Sequence, residues 1–281
     1  MPNSLTDAGA LAPFRELANG FFGSLAAQSA FSKIFGAGDF TRVPLRTLIA
    51  VLTTAPVAYS VSELAPKPIA SLDFSTAQLD AEKVSAHVVI TDELARSGSG
   101  AAVSRIGDEL RRAAAIAVDA KFLSILASTA GITTAASSGV TAANVFADLT
   151  ARINALTIGA DSRLWLIVSP KLAKTLSLVQ GTGGYILQNG AIGAIKVAVS
   201  DAATTVATLV DAKGIAAELD QITLDSTREA SLELDTDPAT DGSAGAVSLW
   251  QNNSTGLRVE VAFGAVAMRS TSVTTITGYA A

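Results

Sequence analysis

The chain has 281 residues, of which 49% are hydrophobic and 16% charged, with a formal net charge of −5 and no cysteine. The lack of cysteine excludes disulfides and thiolate metal sites, and a mildly negative charge without a basic run argues against a dedicated nucleic-acid grip. Charged residues usually make up about 25% of a soluble chain, so much apolar surface needs cover. Burial against copies of the same chain would supply it; the alternative is that alanine merely inflates the hydrophobic count.

Neither a membrane span nor an export signal is predicted. The most apolar run, residues 45–61, contains Arg46 and Pro56 and is too short to cross a bilayer. The first twenty residues lack the basic region and the uninterrupted apolar segment of an export signal. We therefore expect the protein to stay in the cytoplasm in which it is made.

The first ninety residues predict an arm followed by a long loop. Residues 1–44 mix short apolar bursts with Gly, Ser and Pro, which indicates an extended arm with one short helix near Phe21–Phe35. The β-branched residues of Leu45–Tyr59 and the apolar-polar alternation of Glu82–Thr91 predict two strands. The polar stretch between them is too long for a hairpin turn, so we interpret the two strands as stems of one extended loop.

A single long helix is predicted over residues 100–128. Apolar residues recur there at the three- and four-residue spacings of an amphipathic helix: Val103, Ile106, Leu110, Ala114, Ala117, Phe122 and Ile125. At about 1.5 Å per residue this helix would be roughly 40 Å long. That length exceeds most helices of a globular domain.

Helices and strands alternate through the rest of the chain, which predicts an α+β fold. Residues 142–156 predict a helix. Leu164–Val168 predicts a buried strand, followed by Ser169 as N-cap and Pro170 as the first residue of a helix that ends near Val179. Later elements are strands near Ile195–Val199, Thr205–Val210, Ile215–Ala217, Leu257–Phe263 and Ala265–Thr275, and a short helix near Val247–Asn252.

Three features suggest chemistry, and each has a simpler explanation. The only histidine, His87, has no second histidine or cysteine to complete a metal site, so we interpret it as a surface or interface residue. The glycines of residues 181–184 follow a helix, whereas a phosphate-binding loop follows a strand. The acidic stretch 218–241 has Ala239 and Thr240 where a calcium loop needs an oxygen ligand and a glycine. We interpret it as a solvated rim, with adventitious divalent-ion binding as the alternative, and predict no catalytic residue, cofactor or metal.

The order of the sequence elements resembles a known protein family. The stretches that carry the resemblance are, in order, KVSAHVVITDELARSGSG, AVDAKFLSIL, LWLIVSPKLAKTL, GGYILQNGAIGAIKVAVSDAA and VSLWQNNSTGLRVEVAFGAVAMRSTSVTTITG. Together they resemble the major capsid proteins of tailed bacteriophages, whose Hong Kong 97-type fold also forms encapsulin shells. The resemblance runs from about Thr41 onward and rests on the order of several loosely matching stretches.

The resemblance implies a division of the chain into regions. It implies an N-terminal arm at residues 1–40, a peripheral domain at 41–141 and 246–281, and an axial domain at 142–245. Within the peripheral domain it implies an extended arm called the E-loop at about 54–84, and a spine helix at about 100–128.

In such proteins the E-loop is laid over a neighbouring subunit. The implied E-loop contacts are Glu63, Lys67, Pro68, Asp73 and Phe74. The implied contacts of the N-terminal arm are Phe21, Phe22, Phe31 and Phe35.

Certain relatives crosslink an E-loop lysine to an asparagine with help from a carboxylate. The nearest equivalents here are Lys67, Asn253 and Glu260, and Glu260 departs from the expected offset. We therefore predict that no isopeptide bond forms; covalent multimers in mass spectra of denatured particles would contradict this.

The resemblance implies a major capsid protein, not an enzyme, that self-assembles into pentamers and hexamers of an icosahedral head around double-stranded DNA. An arm that cannot pair its own backbone edges gains partners from the next copy, and a mild negative charge suits a lining that repels packed DNA. Expected partners are a scaffolding protein, a portal and a cement protein. The scaffolding protein is expected to be a separate chain because the arm begins close to Met1. The expected location is the virion capsid, assembled in the host cytoplasm.

Other functions remain open from the sequence. Within the same fold the alternative is an encapsulin-like compartment around an enzyme cargo. More distant alternatives are a hydrolase that uses two of the acidic residues as paired carboxylates and a secreted adhesin, which the missing signal disfavours.

Overall fold

The computed structural model describes residues 29–54, 58–63, 66–69, 73–93, 100–220, 223–233 and 246–279. The chain divides into two compact units, which are described separately. The described residues of unit 1 lie in Lys83–Val118 and Asp220–Ala262, and those of unit 2 lie in Ser29–Glu82, Asp119–Leu219 and Phe263–Ala281.

Helices and strands are mixed throughout the described residues, as an α+β fold requires. The helices are α1 Ala30–Gly36, α2 Gly100–Ala127, α3 Ala142–Ala155 and α4 Pro170–Leu178. The strands are β1 Thr41–Arg42, β2 Leu48–Thr54, β3 Asp73–Gln78, β4 Glu82–Thr91, β5 Thr133–Ala136, β6 Leu164–Val168, β7 Gln180–Gly181, β8 Gly184–Tyr185, β9 Ala191–Ile192, β10 Ile195–Val199, β11 Val206–Asp211, β12 Ile215–Leu219, β13 Thr223–Thr227, β14 Ser231–Glu233, β15 Ala246–Ser248, β16 Ser254–Ala267 and β17 Val273–Thr277.

A six-stranded sheet with the order β5-β17-β11-β6-β10-β9 forms the centre of unit 2. Strand β6 pairs in parallel with β10 and antiparallel with β11. Its sequence LWLIV is almost wholly buried, because a central strand covered on both faces needs a continuous apolar run. The predicted strands at Leu164–Val168 and Ile195–Val199 are confirmed residue for residue.

Helices α3 and α4 cover one face of this sheet. Their apolar residues share a core with alternate residues of the central strands; its members include Val145, Leu149, Leu172, Leu176, Leu166, Val168, Val197 and Leu209. The start of α4 is as predicted: Ser169 is the N-cap and accepts a hydrogen bond from the Leu172 amide at 3.2 Å, and Pro170 is the first helical residue.

Helix α1 lies on the other face of the sheet. Successive strand residues point to opposite faces, so Trp165 points away from the core that contains Leu166. The Trp165 indole donates a hydrogen bond of 2.8 Å to Asp39, in the connection after α1, and Lys33 of α1 donates to the Val197 carbonyl at 3.1 Å.

An aromatic cluster holds α1 in unit 2. The ring of Phe31 lies 5.6 Å from that of Phe40 and 5.0 Å from each of Phe122 and Phe263. Phe31, Phe122 and Phe263 are fully buried. Pairs at these separations add about 0.5–1.5 kcal/mol each to the hydrophobic gain, so α1 is an integral part of the core of unit 2.

The carboxylate of Asp119 fixes the beginning of α1. It accepts hydrogen bonds from the Ser29 hydroxyl at 2.7 Å, from the Ala30 amide at 2.9 Å and from the Phe31 amide at 3.1 Å. It also accepts one from the Ser200 hydroxyl at the end of β10. Asp119 is only 1% exposed, and these four donors satisfy it without a partner of opposite charge in the described structure. It therefore joins α1, α2 and β10.

A second buried aspartate, Asp148 of α3, fixes the last strand. It accepts hydrogen bonds from the Ser138 amide at 2.9 Å, the Ser138 hydroxyl at 2.7 Å and the Tyr279 hydroxyl at 3.3 Å. Burial opposes ionisation of Asp148, but the donated hydrogen bonds prevail and lower its pKa. Burial and the charge of Asp148 raise the pKa of Tyr279 to about 12.

Unit 1 has a smaller core between β4, the first part of α2 and β16. Ile90, Leu110 and Leu257 are buried there. Strand β13 pairs antiparallel with β16 from Thr223 opposite Glu260 to Thr227 opposite Gly256, and β4 also pairs with β16. Strands β14 and β15 form a separate two-stranded sheet.

The predicted long helix at residues 100–128 is confirmed as α2, Gly100–Ala127. Two predictions about the last part of the chain are wrong. Residues 247–252 are not a helix, because Val247 pairs with Leu232 across β14 and β15 and a turn follows. The two terminal strands do not meet at Gly264; β16 runs through it without a break, and the last strand is β17.

Replacing Asp119 by Asn should destabilise the fold. The side chain keeps its size, but its NH₂ group would face donors, so at least one buried donor loses its acceptor. We expect a loss of about 2–4 kcal/mol in the free energy of unfolding, measured by urea denaturation. Asp161→Asn removes the same charge at an exposed position of unit 2 and should change stability by less than about 0.5 kcal/mol. Equal losses would contradict the role of Asp119.

The pair of Tyr279 and Asp148 should make stability depend on pH at both extremes. The pKa of Tyr279 is raised, so its contribution is complete below pH 10 and is lost as the pH rises through about 12. The pKa of Asp148 is lowered, so its contribution is present above about pH 4 and is lost as the pH falls below that. We therefore expect Tyr279→Phe to be less stable than wild type at pH 8 but to approach it between pH 10 and 12. Parallel unfolding curves over that range would contradict the assignment.

Candidate assembly surfaces

A two-stranded ribbon in unit 2 is the first candidate surface. Strands β2 and β3 pair antiparallel from Leu48 opposite Gln78 to Thr54 opposite Asp73, with a bulge near Leu52. No third strand joins them among the described residues. Strand β2 lies within the predicted first stem, Leu45–Tyr59, and is shorter than it. Glu82–Thr91 is not the second stem, since it forms β4 and pairs with β16.

The base of the ribbon is anchored. The Arg46 amide donates to the Leu79 carbonyl at 2.8 Å, and the Leu79 amide donates to the Thr47 carbonyl at 3.1 Å. Leu79 is fully buried, so the chain after β3 turns into the core and cannot continue the ribbon into β4. This explains why the second stem ends earlier than predicted.

Gly264 of β16 allows this anchor to form. A Cβ atom there would lie 2.6 Å from Leu45 Cδ2 and 2.7 Å from the Asp80 carbonyl oxygen. Real Cβ atoms do not approach other atoms so closely, so only glycine lets the chain at the ribbon base lie against β16.

The ribbon and its loop expose large apolar side chains. Ile69 is 97% exposed, Leu48 69% and Phe74 61%, and Tyr59 is also more than half exposed. A two-stranded ribbon is at best marginally stable in water, and apolar groups of this size gain about 1.5–3 kcal/mol each when fully buried. This surface is suited to being covered by protein.

The predicted E-loop contacts lie on this surface where the structure describes them. Glu63, Lys67 and Pro68 are exposed. Phe74 is on β3, and Asp73 begins that strand opposite Thr54.

The predicted contacts of the N-terminal arm have different positions. Phe21 and Phe22 lie outside the described residues. Phe31 is fully buried in the aromatic cluster of its own unit, so its ring is not available to a neighbour. Phe35 is half buried, with its ring stacked on that of Phe31 and the Arg42 guanidinium 4.4 Å from its centre.

An open groove in unit 1 is the second candidate surface. It has a volume of about 510 Å³ and runs between β4 and α2. Its lining consists of Ala86, His87, Val88, Arg105, Ile106, Glu109, Leu110 and Ala113. The floor is apolar and the exposed charges Arg105 and Glu109 stand at the rim, as at many protein-binding surfaces. His87 is exposed, in line with its interpretation as a surface or interface residue.

The residues considered for a crosslink are not brought together within unit 1. Asn253 and Glu260 are seven positions apart on an extended segment, or roughly 23 Å at about 3.3 Å per residue. Glu260 forms ion pairs with Lys83 at 2.8 Å and Arg258 at 3.3 Å. The hydrogen bond from Lys83 and the charge of Arg258 lower the pKa of Glu260, which makes it a poor proton acceptor. The absence of an isopeptide bond stays a prediction.

The described residues give little sign of other chemistry. They contain no group of three His, Asp or Glu side chains placed to hold a metal ion, and none of their helices is long and apolar enough to cross a membrane. The glycines of residues 181–184 form the small hairpin of β7 and β8. The last part of the acidic stretch 218–241, from residue 234 onward, lies outside the described residues.

Trp250 is among the exposed apolar residues that sequence reasoning missed. Trp250 is 74% exposed in the turn before β16. A tryptophan at the predicted helix near Val247–Asn252 gave no signal of exposure, because the turn arises from the pairing of β14 with β15.

Comparison with known proteins agrees on one family. The family model described as phage capsid protein matches residues 77–276. The capsid polyprotein of Pseudomonas phage PAJU2 is 32% identical over 273 residues, covering 86% of this chain and 40% of that protein. The chain therefore spans less than half the length of this relative.

Solved structures share the fold. The structure described as Mycobacterium phage Bobi has a TM-score of 0.62 at 15% identity, covering 89% of this chain and 90% of that chain. The structure described as Gordonia phage Cozz has a TM-score of 0.59 at 18% identity, covering 86% of this chain and 85% of that chain. A virus-like particle from Pyrococcus furiosus has a TM-score of 0.59 at 12% identity, covering 94% of this chain and 98% of that one. These similarities confirm the predicted Hong Kong 97-type fold.

The close approach at Gly264 predicts that Gly264→Ala is harmful. The new methyl group would press on the backbone at Asp80, which cannot move without shifting the ribbon base, so we expect a loss of about 1–3 kcal/mol in the free energy of unfolding. Gly183→Ala is the matched control, because no atom lies within 4 Å of its Cβ position. Thermal and urea unfolding of both variants would test this, and equal stability would contradict it.

Proposed function

The chain belongs to the phage capsid protein family, and we propose that it is the major capsid protein of a phage head, assembling into hexamers and pentamers of a closed icosahedral shell around double-stranded DNA. The observation that carries this proposal is the two-stranded ribbon with its loop, whose large side chains Leu48, Ile69 and Phe74 are exposed on an isolated subunit. The shell role is structural and requires no catalytic residue.

Head-to-tail contacts explain how such a ribbon builds a shell. Each copy would offer its ribbon to one neighbour and receive the ribbon of another, and contacts of this kind close into rings when the rotation between copies permits. Every ribbon is then covered except in an unfinished shell. Contacts that are individually modest can thus give a stable particle.

We propose that the groove of unit 1 receives the ribbon of a neighbouring copy. Its floor of Val88 and Ile106 is apolar, as is the exposed Ile69 of the loop. The rim carries Arg105 and Glu109, which can pair with Glu63 and Lys67 of the loop of the other copy. Charge pairs at a rim mainly select the partner and its register.

We propose the same division of the chain into regions as the sequence implies. Residues 1–40 would form the N-terminal arm, about 54–84 the E-loop and about 100–128 the spine helix. The remaining peripheral residues lie in 41–141 and 246–281, and residues 142–245 would form the axial domain.

Further partners and the place of assembly are also proposals. A scaffolding protein, a portal and a cement protein would act with the shell, and assembly would take place in the host cytoplasm before the subunit becomes part of the virion. Co-purification with the products of neighbouring genes would identify these partners.

The similarity to the Pyrococcus furiosus particle keeps an encapsulin-like compartment as the second candidate function. The match of residues 77–276 to the phage capsid family favours the phage head. The contents of purified particles separate the two: packaged double-stranded DNA supports the head, and an enclosed enzyme supports the compartment.

Phe74→Asp should prevent shell assembly. The substitution places a charge on a surface that needs apolar cover, while a residue that is 61% exposed contributes little to the stability of the subunit. We expect a folded subunit with an unchanged melting temperature and at least a tenfold lower particle yield by sedimentation and electron microscopy. Thr76→Asp adds the same charge on the same face of β3 at a polar, exposed position and should retain most assembly.

A deletion and a crosslink complete this test. Removing residues 66–72 should also leave a folded subunit that closes no shells, and wild-type-like particles from this deletion would contradict the role of the loop. Because the chain has no cysteine, Ile69→Cys with Ala113→Cys gives a specific disulfide probe. The proposed contact predicts a ladder of linked subunits in oxidised particles, with monomers only from either single variant.

A further inference from the structure

A cluster of basic side chains lies at one end of the six-stranded sheet of unit 2, where the central strands β6 and β10 begin and β11 ends; we call this end the basic edge. We define the basic cluster as Lys33, Arg163, Lys196 and Lys213, all exposed or half exposed. The pairing of the strands brings them together: Lys196 is opposite Trp165 on β6, and the Ala212 amide, beside Lys213, donates to the Arg163 carbonyl at 2.9 Å. Lys33 reaches the same edge from α1.

Internal contacts hold two of these lysines in place. The ammonium groups of Lys33 and Lys196 lie 6.0 Å and 5.0 Å from the centre of the Trp165 ring. Lys196 also forms an ion pair of 2.8 Å with Asp39, whose other oxygen is 4.0 Å from the Arg163 Nε atom. Side chains that are already ordered lose less entropy when a ligand binds.

The acidic groups near the cluster are mostly turned inward. Asp39 and Asp211 are buried, and Asp211 accepts hydrogen bonds from the Ser162 hydroxyl at 2.7 Å and the Arg163 amide at 2.9 Å. Asp161, in the turn before β6, is exposed at the edge. Lys33 has only the Val197 carbonyl and the Trp165 ring as contacts in the described part of the chain. A ligand that approaches from solvent therefore meets four exposed cations and one exposed carboxylate, while the buried Asp39 and Asp211 offset part of the positive charge from beneath.

The local sign of the charge is opposite to that of the whole chain. The net charge is −5, but at physiological ionic strength charges are screened beyond about 8 Å. A polyanion close to this edge therefore responds to the basic cluster more than to the distant acidic residues.

We propose that the basic cluster binds the phosphate groups of double-stranded DNA, so that this edge of unit 2 faces the packed genome. The inference rests on the proposed function, since it names the surface of the shell subunit that meets the enclosed DNA. The contacts are electrostatic and do not involve the bases, because Trp165 is buried beneath the lysines and offers no stacking surface. Weak contacts of this kind leave the genome free to be released.

An acidic peptide is the competing ligand for such a cluster. The duplex is favoured because it presents a continuous line of charge, about one per 1.7 Å of its axis, to which separated lysines can bind without a fixed register. The acidic stretch 218–241 of another copy is the competing peptide that the test includes.

The test compares two double variants with equal charge loss. In Lys33→Gln/Arg163→Gln the ion pair of Lys196 with Asp39 remains, so the fold should be retained. In the control Lys171→Gln/Lys174→Gln two exposed lysines are removed from α4, which covers the opposite face of the sheet. Binding of a fluorescent 20-base-pair duplex to the full-length subunit, kept below its assembly concentration, is measured by anisotropy from 25 to 200 mM NaCl.

The expected result is a change in salt dependence for the cluster variant alone. Loss of two phosphate contacts should reduce the slope of log affinity against log salt by about 1.8, so that raising salt from 50 to 200 mM weakens its binding about twelvefold less than that of wild type. The control should keep the wild-type slope. Equal effects in both variants, no DNA binding by wild type, or tighter binding of a peptide of residues 218–241 than of DNA would overturn the proposal.

Assembly of the same variants separates this inference from the function on which it rests. Cluster variants that form normal shells but bind DNA like wild type would overturn the phosphate contact alone. Failure of the wild-type chain to form any shell would overturn the proposed function, whatever the DNA measurements show.

Discussion

The buried carboxylate of Asp119 is the constraint on which the position of α1 depends. A charged group that is 1% exposed is costly unless it is fully hydrogen-bonded, and all four of its donors come from segments that are 81 to 90 positions away in the sequence. The hydrogen bonds that satisfy it hold α1 and the end of β10 against α2. The same carboxylate occupies the first turn of α1, where negative charge is favoured by the helix dipole.

Asp119 is one of several buried aspartates that act in this way in unit 2. Asp39 accepts hydrogen bonds from Trp165 and Lys196. Asp148 accepts them from Ser138 and Tyr279, and Asp211 accepts one from Ser162. A chain without cysteine cannot use disulfides to connect distant segments. Buried carboxylates perform this role because each can accept several hydrogen bonds, and an arrangement that leaves one of them unsatisfied is strongly disfavoured.

This rigid core explains how an exposed ribbon is tolerated. The ribbon pairs with no third strand among the described residues, but its base is fixed by the buried Leu79 and by the close approach to Gly264. The apolar side chains of the ribbon then extend from a defined point instead of collapsing onto the nearest surface. The composition shows the same division: part of the apolar excess fills the core of each unit, and part remains exposed on the ribbon.

The sequence predicted those features that depend on local patterns. Strand β6, the capped start of α4 and helix α2 follow from apolar runs, an N-cap and helical spacing, which are properties of neighbouring residues. The second stem of the ribbon was placed wrongly because β4 has the stronger alternation, and only the three-dimensional burial of Leu79 shows where the ribbon ends.

The basic cluster and the buried aspartates could not be predicted for a related reason. Lys33, Arg163, Lys196 and Lys213 are far apart in the sequence and form no run, so counting charges along the chain gives a mild negative value and suggests repulsion from DNA. The parallel pairing of β6 with β10, and the antiparallel pairing of β6 with β11, bring three of the four side chains to one edge. A net charge describes the whole chain, whereas a polyanion at the surface responds to the charges within a screening length of it. Because the fold decides which charges lie that close, it also decides whether DNA is attracted or repelled at this edge.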